Sequence, residues 1–215
     1  MKKRARGPEQ KEARRRRILA GAEALFRDRS FAETTMAEVA TRAGLSKGAV
    51  YLYFATKEQL FLALLVDELA GWFDVVDAGL AKGGRSEAVA RLFATSLAER
   101  FMMTKLLALL DGVLERNIDE ETALEWKRFF GARIERTGAL LEARLPVLRP
   151  GGGAKVLLQI NALVIGLRQM SDPAPVMTRL ADQPELAIFQ IDFERELTSA
   201  LTALMRGLER PSLAS

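Results

Sequence analysis

The sequence predicts an all-α protein of about nine helices. Apolar residues recur at helical spacing along almost the whole chain, and no run of alternating apolar and polar residues is long enough for a strand. The interruptions carry the glycines, prolines and Ser/Thr caps that begin and end helices.

The first helix is expected from about 11 to 29, with Ile18, Ala22, Leu25 and Phe26 on one face, and Ser30 and Phe31 ending it. Thr35 opens a short second helix. Its hydroxyl can accept from the Glu38 amide while the Glu38 carboxylate returns the bond, a capping box. Gly44 stops that helix because glycine tolerates the left-handed conformation of a helix end. Ser46 caps a third, running to about Tyr53, and a second capping box of Thr56 with Gln59 starts a long fourth at 57–80. After the break at Lys82, Gly83 and Gly84, helices are expected at 86–101, 104–116 and 120–145. Pro146 and the Pro150 to Gly153 segment interrupt the chain. A helix at 154–170, a loop at 171–184 and a last helix at 186–208 complete it.

Composition narrows the chemistry. Apolar residues make up 49% and charged residues 28% of 215, as in a packed globular protein. Cysteine and histidine are absent. Disulfides, Cys/His zinc sites, thiol or imidazole nucleophile systems and haem ligation through His are therefore excluded. No apolar run reaches the ~18 residues of a membrane span, and no apolar segment follows the basic start as in a secretory signal. A cytoplasmic protein without membrane association is expected, with no cofactor and no metal. Net charge is +4, yet residues 1–60 carry 14 Lys or Arg against 7 Asp or Glu, so the remainder is mildly acidic. The excess sits before Ile18, in Lys2, Lys3, Arg4, Arg6, Lys11 and the run Arg14 to Arg17. Such a head favours a polyanionic partner, either nucleic acid or an anionic surface, although a basic run can also be a solubilising tail.

The informative stretch is Thr35 to Lys57. Two short helices joined by a tight glycine turn are the minimal device for presenting a helix to the DNA major groove, with the first helix lying across the backbone. Val39, Ala40, Ala43, Leu45 and Val50 supply the apolar inner face, and Phe54 belongs with that core. The third helix begins with Ser46, Lys47, Gly48 and Ala49, small residues that allow close approach. Ala49 can touch a thymine methyl and Lys47 can reach guanine or phosphate, while Tyr51, Tyr53, Lys57 and the free amides opening the fourth helix suit phosphate oxygens.

These residues resemble the DNA-binding segment of the TetR-type (TetR/AcrR) transcriptional regulators. The likeness rests on Phe31, on Thr34-Thr35-Met36 and Val39-Ala40, on Ala43-Gly44-Leu45-Ser46-Lys47-Gly48, and on Tyr51-Leu52-Tyr53-Phe54 with Lys57-Glu58 and Leu60. It spans roughly residues 13–62; beyond that only helix number and length agree. Ser30 departs from the pattern, which often has glycine there. The resemblance implies that Thr35 meets phosphate, that Ser46, Lys47, Gly48 and Ala49 face the groove, and that Tyr51, Tyr53 and Lys57 hold the backbone, with Arg42 a further candidate. It also implies a homodimer on a palindromic operator, a helical C-terminal domain that binds a small molecule, and release of DNA on binding. The domains expected are a disordered basic tail at 1–12, a helix-turn-helix head at 13–56, and a ligand-binding and dimerisation body at 57–210.

In the body, Phe93, Phe101, Met102, Met103, Leu106 and Leu110, with Trp126, Phe129, Phe130 and Ile134, are adaptable apolar groups. They suit a core or a pocket for a largely apolar effector. Two stripes, Val156, Ile160, Leu163, Val164 and Leu167, then Phe193, Leu197, Leu201, Leu204 and Leu208, could close the protomer's own core. The resemblance instead assigns the last two helices to a four-helix dimer interface, and that is the expectation adopted. Asp119, Glu120 and Glu121 fit a helix start, where carboxylates oppose the positive end of the dipole, better than a metal site. The reading is a ligand-responsive DNA-binding repressor and not an enzyme. Alternatives are an activator of the same type, a carboxylate-dependent helical enzyme acting on a lipophilic substrate, or a basic-tailed adaptor for a membrane or protein.

Overall fold

A computed structural model describes residues 6–173, 175–180 and 183–209, all helices and turns without a strand among them. The helices are α1 (Arg6–Phe26), α2 (Met36–Ala43), α3 (Lys47–Tyr51), α4 (Lys57–Ala81), α5 (Ser86–Ala98), α6 (Phe101–Leu107), α7 (Glu120–Arg144), α8 (Gly152–Ser171), α9 (Pro175–Thr178) and α10 (Phe193–Glu209), with 3-10 turns at Leu114–Asn117 and Pro184–Phe189. No helix among the described residues is long and apolar enough to cross a membrane.

The chain divides into two compact units. The head runs through Glu68 and takes in Leu109–Leu124; the body is Leu69–Ala108 with the chain from Glu125 onward. The head therefore ends later than the expected residue 56, because the first turns of α4 are part of its core. Phe61 packs edge-on against Phe26 and Phe31, each at 5.1 Å between ring centroids, and Leu60 and Leu65 are fully buried. Polar contacts tie in the distant segment: Thr56 Oγ1 donates to the Asn117 carbonyl at 2.9 Å, and Gln59 Nε2 donates to Asp119 Oδ2 at 2.5 Å.

α1 starts at Arg6, so residues 6–12 are helix and not the expected disordered tail; Met1, Lys2, Lys3, Arg4 and Ala5 lie outside the described residues. The local chemistry accounts for this. Pro8 falls in the first turn, where its missing N–H costs nothing, Glu9 faces the dipole, and Glu12 lies 4.0 Å from Arg15 and 3.9 Å from Arg16 at i,i+3 and i,i+4 spacing. The departure at Ser30 makes a tight turn of its own: the Glu33 carboxylate accepts from the Ser30 amide at 2.8 Å and from its hydroxyl at 2.7 Å.

In the body, α10 packs against α5 and α8, and α6 packs against α8. Arg206 pairs with Glu87 at 2.7 Å, and Ser86 Oγ donates to Glu209, fixing the end of α10 to the start of α5. On α4 and α7, the buried Asp77 accepts from Thr137 Oγ1 at 2.6 Å and sits 3.0 Å from Arg136 Nε. Arg144 donates to the Leu80 and Ala81 carbonyls, capping the C-terminal end of α4. α7 and α8 meet backbone to backbone: a β-carbon on Gly153 would clash with the Gly138 carbonyl oxygen. Gly151 has no side chain to cap α8, and Glu142 Oε1 does so instead, accepting from the Gly153 amide at 3.0 Å.

Several boundaries differ from expectation. The helix expected at 186–208 begins at Phe193, because Pro184–Phe189 is a 3-10 turn and Asp192 Oδ1 accepts from the Arg195 amide at 2.8 Å as the cap. The helix expected at 104–116 ends at Leu107. α5 stops at Ala98, and Arg100, outside the helical conformation at φ −111° and ψ 61°, separates it from α6.

Candidate nucleic-acid interface and effector cavity

The head places α2 and α3 with local chemistry the sequence already carries. Thr35 Oγ1 accepts from the Glu38 amide at 3.3 Å, and Glu38 Oε2 accepts from the Thr35 amide at 3.0 Å, completing the expected capping box. The hydrogen bond from the Thr35 side chain, then Arg29 at 2.6 Å, holds the Glu38 carboxyl below the usual range, so it stays ionised. Gly44 ends α2 at φ 64°, and Arg17 donates to the Ala43 carbonyl, placing a cation at the negative end of that helix. Ser46 caps α3, accepting from the Ala49 amide at 3.2 Å.

On α3, Val50 is completely buried and anchors the helix, while Lys47, Gly48 and Tyr51 face out, Tyr51 with 44% of its surface exposed. A β-carbon on Gly48 would meet nothing within 4 Å. Nothing inside the protein requires glycine there. Lys47 Nζ lies 5.9 Å from the centre of the Tyr51 ring, so the cation and the phenol share one edge of the helix. Thr35, Arg42 and Ser46 are exposed, Ala49 and Tyr53 are partly covered, and Phe54 is buried as expected.

Lys57 differs. Its Nζ donates to the carbonyls of Phe31 at 2.7 Å and Thr34 at 3.0 Å and sits 4.0 Å over the Phe31 ring. Burial pushes its pKa below the usual lysine value. In this structure the side chain locks the α1–α2 turn instead of standing free for phosphate. The second capping box is also altered: Thr56 Oγ1 accepts from the Gln59 amide at 3.1 Å, but Gln59 Oε1 takes the Ala55 amide at 2.8 Å.

In the body an apolar cavity of about 20 Å³ is lined by Met103, Phe130 and Ile134 of the expected set. Trp72 and Phe73 of α4 and Ile160 and Val164 of α8, not expected there, complete much of its wall. Phe93, Met102, Leu106 and Trp126 are buried elsewhere in the core and Phe129 is half-buried. Leu110 is buried and belongs to the head. Phe101 is 45% exposed. Of the two stripes, Val156, Ile160, Val164, Phe193, Leu197 and Leu201 are buried within the protomer, where the core alternative puts them, because α8 and α10 turn their most apolar faces inward. Leu163, Leu167, Leu204 and Leu208 are half-buried. Asp119 accepts from the Thr122 amide at 2.8 Å, capping the start of α7.

A sequence profile described as "Bacterial regulatory proteins, tetR family" matches residues 18–64, and one described as "Tetracyclin repressor-like, C-terminal domain" matches residues 66–212. The chain belongs to the TetR family of transcriptional regulators. Like other TetR regulators it binds DNA through its helix-turn-helix and is not an enzyme. Among relatives, the regulator EthR of Mycobacterium tuberculosis is 28% identical over 172 residues, 79% of this chain and 77% of that one. The repressor AcnR of Corynebacterium diphtheriae is 31% identical over 117 residues, 52% of this chain and 60% of that one. The TetR fold is shared with FadR of Thermus thermophilus, a repressor solved with lauroyl-CoA, at TM-score 0.58 and 23% identity over 94% of this chain and 98% of that one.

Proposed function

We propose that this TetR regulator is a homodimeric repressor that loses its operator when a largely apolar small molecule enters the body. The observation that carries the DNA half of this reading is α3 itself, anchored by Val50 and presenting Lys47, the open backbone at Gly48, and Tyr51 outward. With Ser46 and Ala49 it enters the major groove, while Thr35, Arg42, Tyr53 and the amides opening α4 meet phosphates. Lys57 positions that surface from within. The exposed basic residues Lys11, Arg14 and Arg16 of α1 add sequence-independent phosphate attraction.

Two copies are needed to read two half-sites ~34–36 Å apart, or a multiple of that. With the inner stripes of α8 and α10 committed to the core, the pairing face is the outer one, where Leu158 is 51% exposed and lies on one side of α8 with Ala162 and Ile165. The apolar cavity supports the effector half. At about 20 Å³ it is far below the ~300 Å³ minimum of a small-molecule site, so an effector must push its walls apart. Trp72 and Phe73 are on α4, the helix that also carries Leu60 and Phe61 of the head core, so an effector favouring the widened state shifts the head by its differential affinity. FadR of Thermus thermophilus, solved with an acyl-CoA, supports an apolar class of effector.

The test is a mobility-shift titration against DNA flanking the chain's own gene, with the stoichiometry read by sedimentation. Two protomers on a palindromic site, with affinity falling steeply as salt rises, are expected. One protomer per site, or binding indifferent to sequence, overturns the reading.

A further inference from the structure

Val156, Ile160 and Val164 descend the inner face of α8 at intervals of four, and the next residue in the series is Arg168. It is 8% exposed, buried like the apolar residues above it. A guanidinium in such a place is destabilised by desolvation unless an anion or water meets its N–H groups. Here no anion among the described residues does. Arg168 Nε donates to Thr104 Oγ1 at 3.1 Å, and its guanidinium lies 3.6 Å from the centre of the Phe193 ring and 5.0 Å from that of Phe101. Among the described residues no carboxylate is within ion-pair distance, and Asp172 acts on it only at longer range. Burial accordingly pulls its pKa below the usual arginine value. The two terminal nitrogens of its fork have no acceptor among the described residues.

The position of this cation relative to the cavity gives it a role. Val164 and Met103 line the cavity. Arg168 is one helical turn, ~5.4 Å, beyond Val164 on the same face, and its partner Thr104 follows Met103 in α6. The cavity wall is almost wholly apolar, and Arg168 and Thr104 lie just outside it, each a turn or less along its helix from a residue that lines it. We propose that Arg168 recognises the anionic head of an amphipathic effector, a single carboxylate on an apolar body, with Thr104, Phe101 and Phe193 holding the fork in place. A carboxylate matches two parallel guanidinium N–H donors, and its single negative charge is the one that a lone arginine balances. This assignment rests on the effector reading above and specifies its chemistry.

Calorimetric titration with decanoate, decanol and decyltrimethylammonium, each below its micelle concentration, tests it on the full-length protein and on Arg168→Gln and Arg168→Lys. The wild type should bind decanoate at least tenfold more tightly than decanol and the cation more weakly still. Arg168→Gln should bind decanoate and decanol alike, and Arg168→Lys should keep part of the preference. Decanol binding as tightly as decanoate in the wild type overturns the role of Arg168 while leaving an apolar effector in place. So does a preference that survives in folded Arg168→Gln. Should that variant fail to fold, the wild-type series and Arg168→Lys decide between the same outcomes. No binding of any of the three amphiphiles removes the effector reading together with this one.

Discussion

Gly48→Leu leaves the chain folded and weakens operator binding at least a hundredfold, about 2.8 kcal/mol at 1.4 kcal/mol per decade. The two halves of that expectation have separate causes. A β-carbon at Gly48 meets no protein atom within 4 Å, and leucine has a helix propensity better than that of glycine by up to ~1 kcal/mol, so the melting midpoint should hold or rise. On the outside, the same position lies between Lys47 and Ala49 in the first turn of α3, where a groove-bound helix comes nearest to the base edges. A leucine there stands the helix off. Anisotropy with labelled operator and a thermal melt of the same sample read both quantities. Undiminished binding by the variant would place α3 away from DNA.

The largest loss of stability is expected at the crossing of α7 and α8. A β-carbon on Gly153 would clash with the Gly138 carbonyl oxygen, and one on Gly138 would sit 2.7 Å from the Ala154 amide nitrogen. Backbone, not the end of a flexible side chain, is in the way. The helices must separate, breaking the Glu142 cap on α8 and loosening Val156 and Leu157 in the core. Gly153→Val should therefore cost at least the ~3 kcal/mol of severe overpacking, lowering the midpoint by roughly 6–12 °C in a chain of this size. Gly131→Ala on α7 is the control. Nothing lies within 4 Å of its β-carbon, so it should be neutral or stabilising. Equal midpoints for Gly153→Val and Gly131→Ala would contradict the close crossing.

What the sequence disclosed and what it withheld divide along a physical line. Thr35 with Glu38, Gly44 and Ser46 were legible because cap chemistry acts within four residues and needs no knowledge of the fold. The all-α class followed from periodicity in the same way. Periodicity says that a helix has an apolar face but not what covers it, and so Val164 and Leu197, expected between protomers, are inside one. Apolar Leu186, Ile188 and Phe189 extended the helical pattern of α10 backwards, while the Pro184 turn and the Asp192 cap decided where the helix begins. Lys57 carries a four-carbon stem whose end the sequence could not place; the carbonyls of Phe31 and Thr34 hold it. Arg168 was written in the sequence as the charged member of a four-residue apolar series, a signal visible once the stripe is assigned to the core.

The central claim is that the exposed edge of α3 reads DNA. It is met most directly by titrating labelled DNA from beside the chain's own gene with wild type, Lys47→Ala and Tyr51→Ala, both residues being exposed and remote from the core. Each substitution should weaken specific binding by about 1–3 kcal/mol, roughly five- to 150-fold, with unchanged melting midpoints. Identical affinities for all three proteins would contradict the account.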